Sequence, residues 1–130
     1  MSMSYVIRQV GDVTVLDLGG RISLGEAPAS GAAGDALLHE VVRNTAKTGS
    51  RKILLNLREV TYIDSSGLGE LVSCNTSIYN QGGDMKVCNT SPRVNDLLVI
   101  TSLHAVLDVY ADEEAALRAF GEQKKGTSAA

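Results

Sequence analysis

The residues best able to do chemistry lie close together in one stretch, Val60-Thr61-Tyr62-Ile63-Asp64-Ser65-Ser66-Gly67-Leu68-Gly69. A carboxylate, two hydroxyls and two glycines follow an apolar run and precede a helical one, which places them where a strand hands over to a helix. Ligand and partner sites of open α/β sheets gather at such junctions. The unpaired N–H groups of a helix start and the positive end of its dipole both favour a dianion, so a phosphate carried on a hydroxyl here is well placed. The same residues also make an ordinary helix cap, with Asp64 or Ser65 accepting from the first turn. Local physics leaves both readings open.

Other chemistries fail on spacing. A nucleophile elbow needs glycine two residues before and two after its serine, and Ser65 has Ile63 at the first of these places. The phosphate-cradling P-loop pattern is absent. His39 and His104 fall on or beside predicted helices, with no paired carboxylate or second ligand nearby in sequence, so neither reads as the base of a serine hydrolase. Cys74 and Cys88 lack CxxC spacing and read as small buried hydrophobes in a reducing compartment. With no metal-ligand cluster, no cofactor pattern and no catalytic residue assigned, the chain reads as a binding protein rather than an enzyme.

Around this stretch the chain alternates strands and helices. Ser4 to Val10 and Val13 to Leu18 are strand-like runs flanking Gly11-Asp12, a hairpin signal. The second run is apolar on both alternating sides, as suits a strand covered on both faces. Gly19 to Asp35 reads as a loop, its small residues from Ala27 to Gly34 burying little. Asp35 is a candidate cap for a helix with Leu37, Leu38, Val41 and Val42 facing inward and Gly49 at its end. Lys52 to Leu57 is a short buried strand, Glu59 to Asp64 a connecting turn, and a second helix starts around Ser65-Ser66. Its expected inward stripe is Leu68, Leu71, Val72, Ile78 and Tyr79, with Asn75 on the same line.

Gln81-Gly82-Gly83 stops that helix, and Met85 to Cys88 is a further strand. Ser91-Pro92 opens a third helix, cap then proline, with Val94, Leu97, Leu98 and Thr101 inward. Val106 to Val109 is a last strand. Asp112-Glu113-Glu114 begins a final helix anchored by Leu117 and Phe120. From Glu122 the tail has nothing to bury. The expectation is one α/β domain over residues 1–121 and a disordered tail over 122–130. Its sheet is mixed and mainly parallel, with the hairpin at one edge and about four helices around it.

Bulk composition agrees with one core. The 130 residues are 44% hydrophobic and 21% charged, enough apolar material for a core without disulfides or metal. A net charge of -3 without a basic patch argues against nucleic acid. No run has the length of a membrane span and the N-terminus lacks a signal pattern, which points to the cytoplasm.

The segment Asp-Ser-Ser-Gly-Leu-Gly-Glu-Leu-Val from Asp64, after the strand Ile53 to Leu57 and before Gly82-Gly83, resembles the STAS domain of bacterial anti-sigma factor antagonists. Gly20-Arg21-Ile22-Ser23-Leu24-Gly25-Glu26-Ala27-Pro28 resembles the segment after that family's second strand, and the likeness runs from about Tyr5 to Phe120. The resemblance implies a partner-switching role. Unmodified, the chain would bind an anti-sigma factor that is also a serine kinase of the histidine-kinase-like ATPase type, and so release a sigma factor. Phosphorylation by that kinase on Ser65 would switch it off, and a PP2C-type phosphatase would reverse the mark. Asp64 carries over as the acid shaping the acceptor site, and Ser66, Gly67 and Leu68 as neighbouring partner-binding positions. A monomer or dimer is expected. The alternative is a STAS scaffold within a stress-signalling assembly. The Ala/Gly-rich loop is longer than the family's usual one and bears on which kinase fits.

Overall fold

The computed structural model of the chain describes residues 3–23 and 38–129, with side chains up to Gly121. Strands β1 (Met3–Val10) and β2 (Val13–Ile22) form the hairpin, turning through Gly11 at φ +61. There follow α1 (Leu38–Lys47), β3 (Lys52–Ile63), α2 (Ser65–Asn80), β4 (Asp84–Cys88), α3 (Pro92–Ile100), a short 3-10 turn, β5 (Asp108–Tyr110) and α4 (Glu113–Ala129). The five strands lie in the order β1-β2-β3-β4-β5; β1 and β2 are antiparallel and every other pair is parallel. The mixed, mainly parallel sheet with an edge hairpin and four helices is therefore as expected.

Alternation along the strands decides which helix goes where. Leu16, Leu18, Ile53, Leu55 and Val87 point to the face packed by α1, α2 and α3, the larger core. Val13, Val15, Leu54 and Cys88 point to the other face, where α4 brings Ala116 and Phe120. The start of α4 is clamped to the hairpin by Arg8, which donates to Asp17 and to Glu113 (2.6 Å to Oε1). Lys86, only 1% exposed, reaches Asp108 and lies over the Phe120 ring at 4.9 Å. Ser91 caps α3 by accepting from the Val94 N–H, as its Ser-Pro start implies.

Several local expectations are corrected. β2 does not end at Leu18 but runs through Gly19-Gly20 to Ile22, and β3 continues past Leu57 to Ile63 instead of turning at Glu59. The two extensions pair with each other, Gly20 beside Val60 and Ile22 beside Ile63, across two register irregularities. Gly20, at φ +81, absorbs one of them. In α2 the inward stripe is Leu68, Leu71, Cys74 and Ile78, whereas Tyr79 is 76% exposed. Once Ile78 faces the sheet, a step of about 100° carries its successor off the buried face. The last strand is Asp108–Tyr110, because Leu103–Ala105 winds into the 3-10 turn and leaves Val106 exposed. In α3 Thr101 is exposed and follows the helix as its C-cap.

The loop from Ala27 to Gly34, the cap at Asp35 and the contribution of Leu37 lie outside the described residues. The boundary expected at residue 121 concerns a tail whose side chains also lie outside them, although α4 is assigned as far as Ala129. Among the described residues no helix is long and apolar enough to cross a membrane.

Candidate functional site

Two strand ends and one helix start build the site. β2 delivers Ile22 and Ser23, β3 delivers Ile63 and Asp64 beside them, and α2 begins at Ser65. Asp64 is the N-cap of α2, in extended conformation at φ -115, and its side chain accepts from the Gly67 N–H over 2.9 Å. The cap reading of this motif thus holds, and it assigns capping to Asp64 rather than Ser65.

Capping by Asp64 leaves the two serines in different states. The Ser66 hydroxyl, half-buried, donates to Asp64 Oδ1 over 2.6 Å. Ser65 is exposed, and no hydrogen bond of its hydroxyl is recorded among the described residues. Of the pair, only Ser65 offers an unengaged oxygen to an incoming group. Ser23 completes the ring, donating to Asp64 Oδ2 over 2.6 Å and lying 3.3 Å from the Ser66 hydroxyl. The Ser23 and Ser66 hydroxyls and the Gly67 N–H together stabilise the ionised carboxylate and push the Asp64 pKa down to about 2. Asp64 is a permanent anion at physiological pH and too weak a base to take a proton from a serine.

Gly67 explains why the turn can be this tight. A Cβ there would come within 2.0 Å of the Ile22 carbonyl oxygen, so the first turn of α2 can lie against the end of β2 only without a side chain. A Cβ at Gly69 would meet nothing within 4 Å, so the two glycines of the motif are not equivalent. Leu68, 5% exposed, belongs to the core and fixes the turn from inside. Of the positions singled out in the sequence, Asp64, Ser65 and Ser66 form the polar surface and Gly67 and Leu68 its buried support.

Sequence reasoning missed Ser23 as a contact, although it stands in the segment after β2 whose resemblance had been noticed. It also missed Arg21, whose guanidinium lies 4.1 Å from the centre of the Tyr62 ring, one residue pair back from the strand ends. Neither contact has a local signal, since the partners lie about forty residues apart.

His39 does have a carboxylate partner: its Nδ1 lies 2.8 Å from Glu70 Oε2, joining α1 to α2. The pairing was invisible in sequence because 31 residues separate the two. No serine hydroxyl is recorded as a partner of His39 or His104 among the described residues, so neither completes a nucleophile–base pair. Burial pushes the Cys74 and Cys88 thiols up to about 12, far from thiolate chemistry.

Against known proteins, the STAS domain family model matches residues 4–116. An anti-sigma-B factor antagonist of Bacillus subtilis is 28% identical over 91% of this chain and 100% of its own length. An anti-sigma F factor antagonist of Paenibacillus polymyxa is 37% identical over 50% of this chain; the match spans 56%, little more than half, of that relative's length. The fold is shared with the Bacillus cell fate determinant SpoIIAA, solved in its phosphorylated form. Its TM-score is 0.61 at 18% identity, covering 89% of this chain and 99% of that one.

Proposed function

We propose that this chain, which belongs to the STAS domain family, is an anti-sigma factor antagonist whose partner contacts are switched by phosphorylation of Ser65. It is a regulatory protein, not an enzyme. Unphosphorylated, it binds a cytoplasmic anti-sigma factor that is also a serine kinase of the histidine-kinase-like ATPase type, and the sigma factor is set free. The same kinase modifies Ser65, a PP2C-type phosphatase restores it, and the antagonist acts as a monomer or dimer without contacting nucleic acid.

The observation that carries this reading is the contrast between the serines: Ser65 is exposed with its hydroxyl unengaged among the described residues, while Ser66 is tied to the cap. The likeness to named antagonists and to a protein solved phosphorylated supports it. The physics of the switch is local. A phosphate adds about -1.5 to -2 charge at neutral pH. The helix N-terminus tolerates it, but it stands beside an Asp64 that stays ionised down to about pH 2. A partner that must desolvate this surface then faces two neighbouring anions, and uncompensated interfacial charge costs several kcal/mol.

Calorimetric titration of the host's anti-sigma kinase tests the reading. Ser65→Ala should bind like the wild type and accept no phosphate. Ser65→Asp should bind at least about tenfold more weakly, a difference of ~1.4 kcal/mol, and the phosphoprotein more weakly still. Equal binding by the phosphorylated and unmodified protein would overturn partner switching and favour the scaffold role.

A further inference from the structure

The Asp64 carboxylate is held from two sides. Oδ1 is taken by α2 itself, through the Ser66 hydroxyl and the Gly67 N–H. Oδ2 is taken by Ser23, on a different element and 41 residues earlier in the chain. A carboxylate bonded at one oxygen can still swing about its Cβ–Cγ bond, whereas one bonded at both is fixed. The distinction matters because the next residue is Ser65. Asp and Ser side chains readily hydrogen-bond to groups close by in sequence. A carboxylate oxygen released from Ser23 becomes a free acceptor one residue from the hydroxyl that must remain available.

We propose that Ser23 is a positioning residue for phosphoryl transfer to Ser65: by holding Asp64 Oδ2 it keeps Asp64 a cap and the Ser65 hydroxyl free. This rests on the antagonist reading above. In the transfer, the Ser65 oxygen bonds to the γ-phosphorus of ATP. The bond from that phosphorus to its bridging oxygen breaks, ADP leaves, and the hydroxyl proton passes to a base on the kinase. Asp64 is not that base: its Oδ2 already accepts from Ser23 and its Oδ1 from the Ser66 hydroxyl and the Gly67 N–H, so neither oxygen is left basic enough to take the serine proton. The half-buried Ser23 spends its hydroxyl inside the site, so its effect falls on turnover rather than on docking.

Two measurements on the full chain decide the matter, with Ser23→Ala and Ser23→Thr beside the wild type. In the first, 13C NMR follows the titration of the Asp64 carboxyl in the isolated protein. Ser23→Ala should raise it by about one unit, and Ser23→Thr, which keeps a hydroxyl, should leave it in place. In the second, the host kinase and ATP phosphorylate each variant. Ser23→Ala should lose about tenfold in kcat with little change in KM, and Ser23→Thr should recover it. A tether that only held the fold together would weaken docking and turnover alike. If Ser23→Ala is phosphorylated at the wild-type rate, or its Asp64 titrates unchanged, the proposal is wrong and the antagonist reading stands. Should Ser23→Ala fail to fold, Ser23→Thr still decides, because turnover or titration unlike the wild type would overturn the role of the hydroxyl. If the wild type takes no phosphate on Ser65, the antagonist reading fails and this proposal falls with it.

Discussion

Asp64 does two jobs whose pH dependences coincide, because both need the carboxylate. It caps α2 through the Gly67 N–H, and it sets the charge beside Ser65. Its pKa is lower in the folded chain, about 2, than its ordinary 3.8. Folding therefore favours the ionised form, and the stabilisation is complete above about pH 4 and lost as pH falls towards 2. Replacing this cap by alanine should cost about 1 kcal/mol at neutral pH. That corresponds to a melting temperature lower by about 4 °C for a domain of this size. Melting curves of wild type and Asp64→Ala from neutral to acid pH should converge near pH 2, and a gap that persists unchanged in acid would contradict the assignment. The cap was legible in sequence because it is local, an aspartate accepting from a residue three places on. The Ser23 bond that completes it was not, because no periodicity or spacing links positions 41 residues apart.

Among the elements, α2 shows where residue type alone was informative and where packing decided. Gly67 and Gly69 look alike in the sequence, yet one lies against the Ile22 carbonyl and the other faces open space. Gly67→Ala should cost about 3 kcal/mol, at the upper end of ordinary overpacking, since the atom it meets is backbone that cannot step aside. Gly69→Ala should instead stabilise by about 0.5–1 kcal/mol, as the helix interior prefers alanine. Urea melts of the two single variants check this, and equal effects from both would refute the packing argument. The same limit explains the strand ends. Gly19-Gly20 read as the start of a loop, but paired β2 and β3 carry the ladder through them with a bulge. Hydrogen-bond pairing between distant segments overrode the local glycine signal. For α2 the helix itself was legible, and its facing was misread at Tyr79, which is exposed, and in part at Val72 and Asn75, which are half-buried while Cys74 takes the place on the stripe. A stripe set by Leu68, Leu71, Cys74 and Ile78 leaves no room for Tyr79.

At the scale of the whole molecule, strands alternating with helices made the sheet legible, since parallel neighbours require crossovers and the hairpin must sit at an edge. The architecture also constrains how a phosphate on Ser65 can act. The site lies at one end of β2 and β3, anchored by buried Leu68 and Ile63 in a close-packed core. Such cores resist continuous deformation. The face covered by α4, with Ala116 and Phe120, belongs to a separate cluster on the other side of the sheet. Because Ser65 is exposed and no partner is recorded for it, a new charge there breaks none of the bonds recorded for its neighbours. A negative group in the first turn gains from the helix dipole about as much as it loses to Asp64, each well under about 1 kcal/mol at an exposed position. Ser65→Asp should therefore melt within about 2 °C of the wild type. Its amide resonances should move around Ser23 and from Asp64 to Leu68 while those of Ala116 and Phe120 stay in place. Shifts spreading to α4 would mean that the charge reorganises the fold, so that the switch works by conformational change rather than by electrostatics at the contact itself.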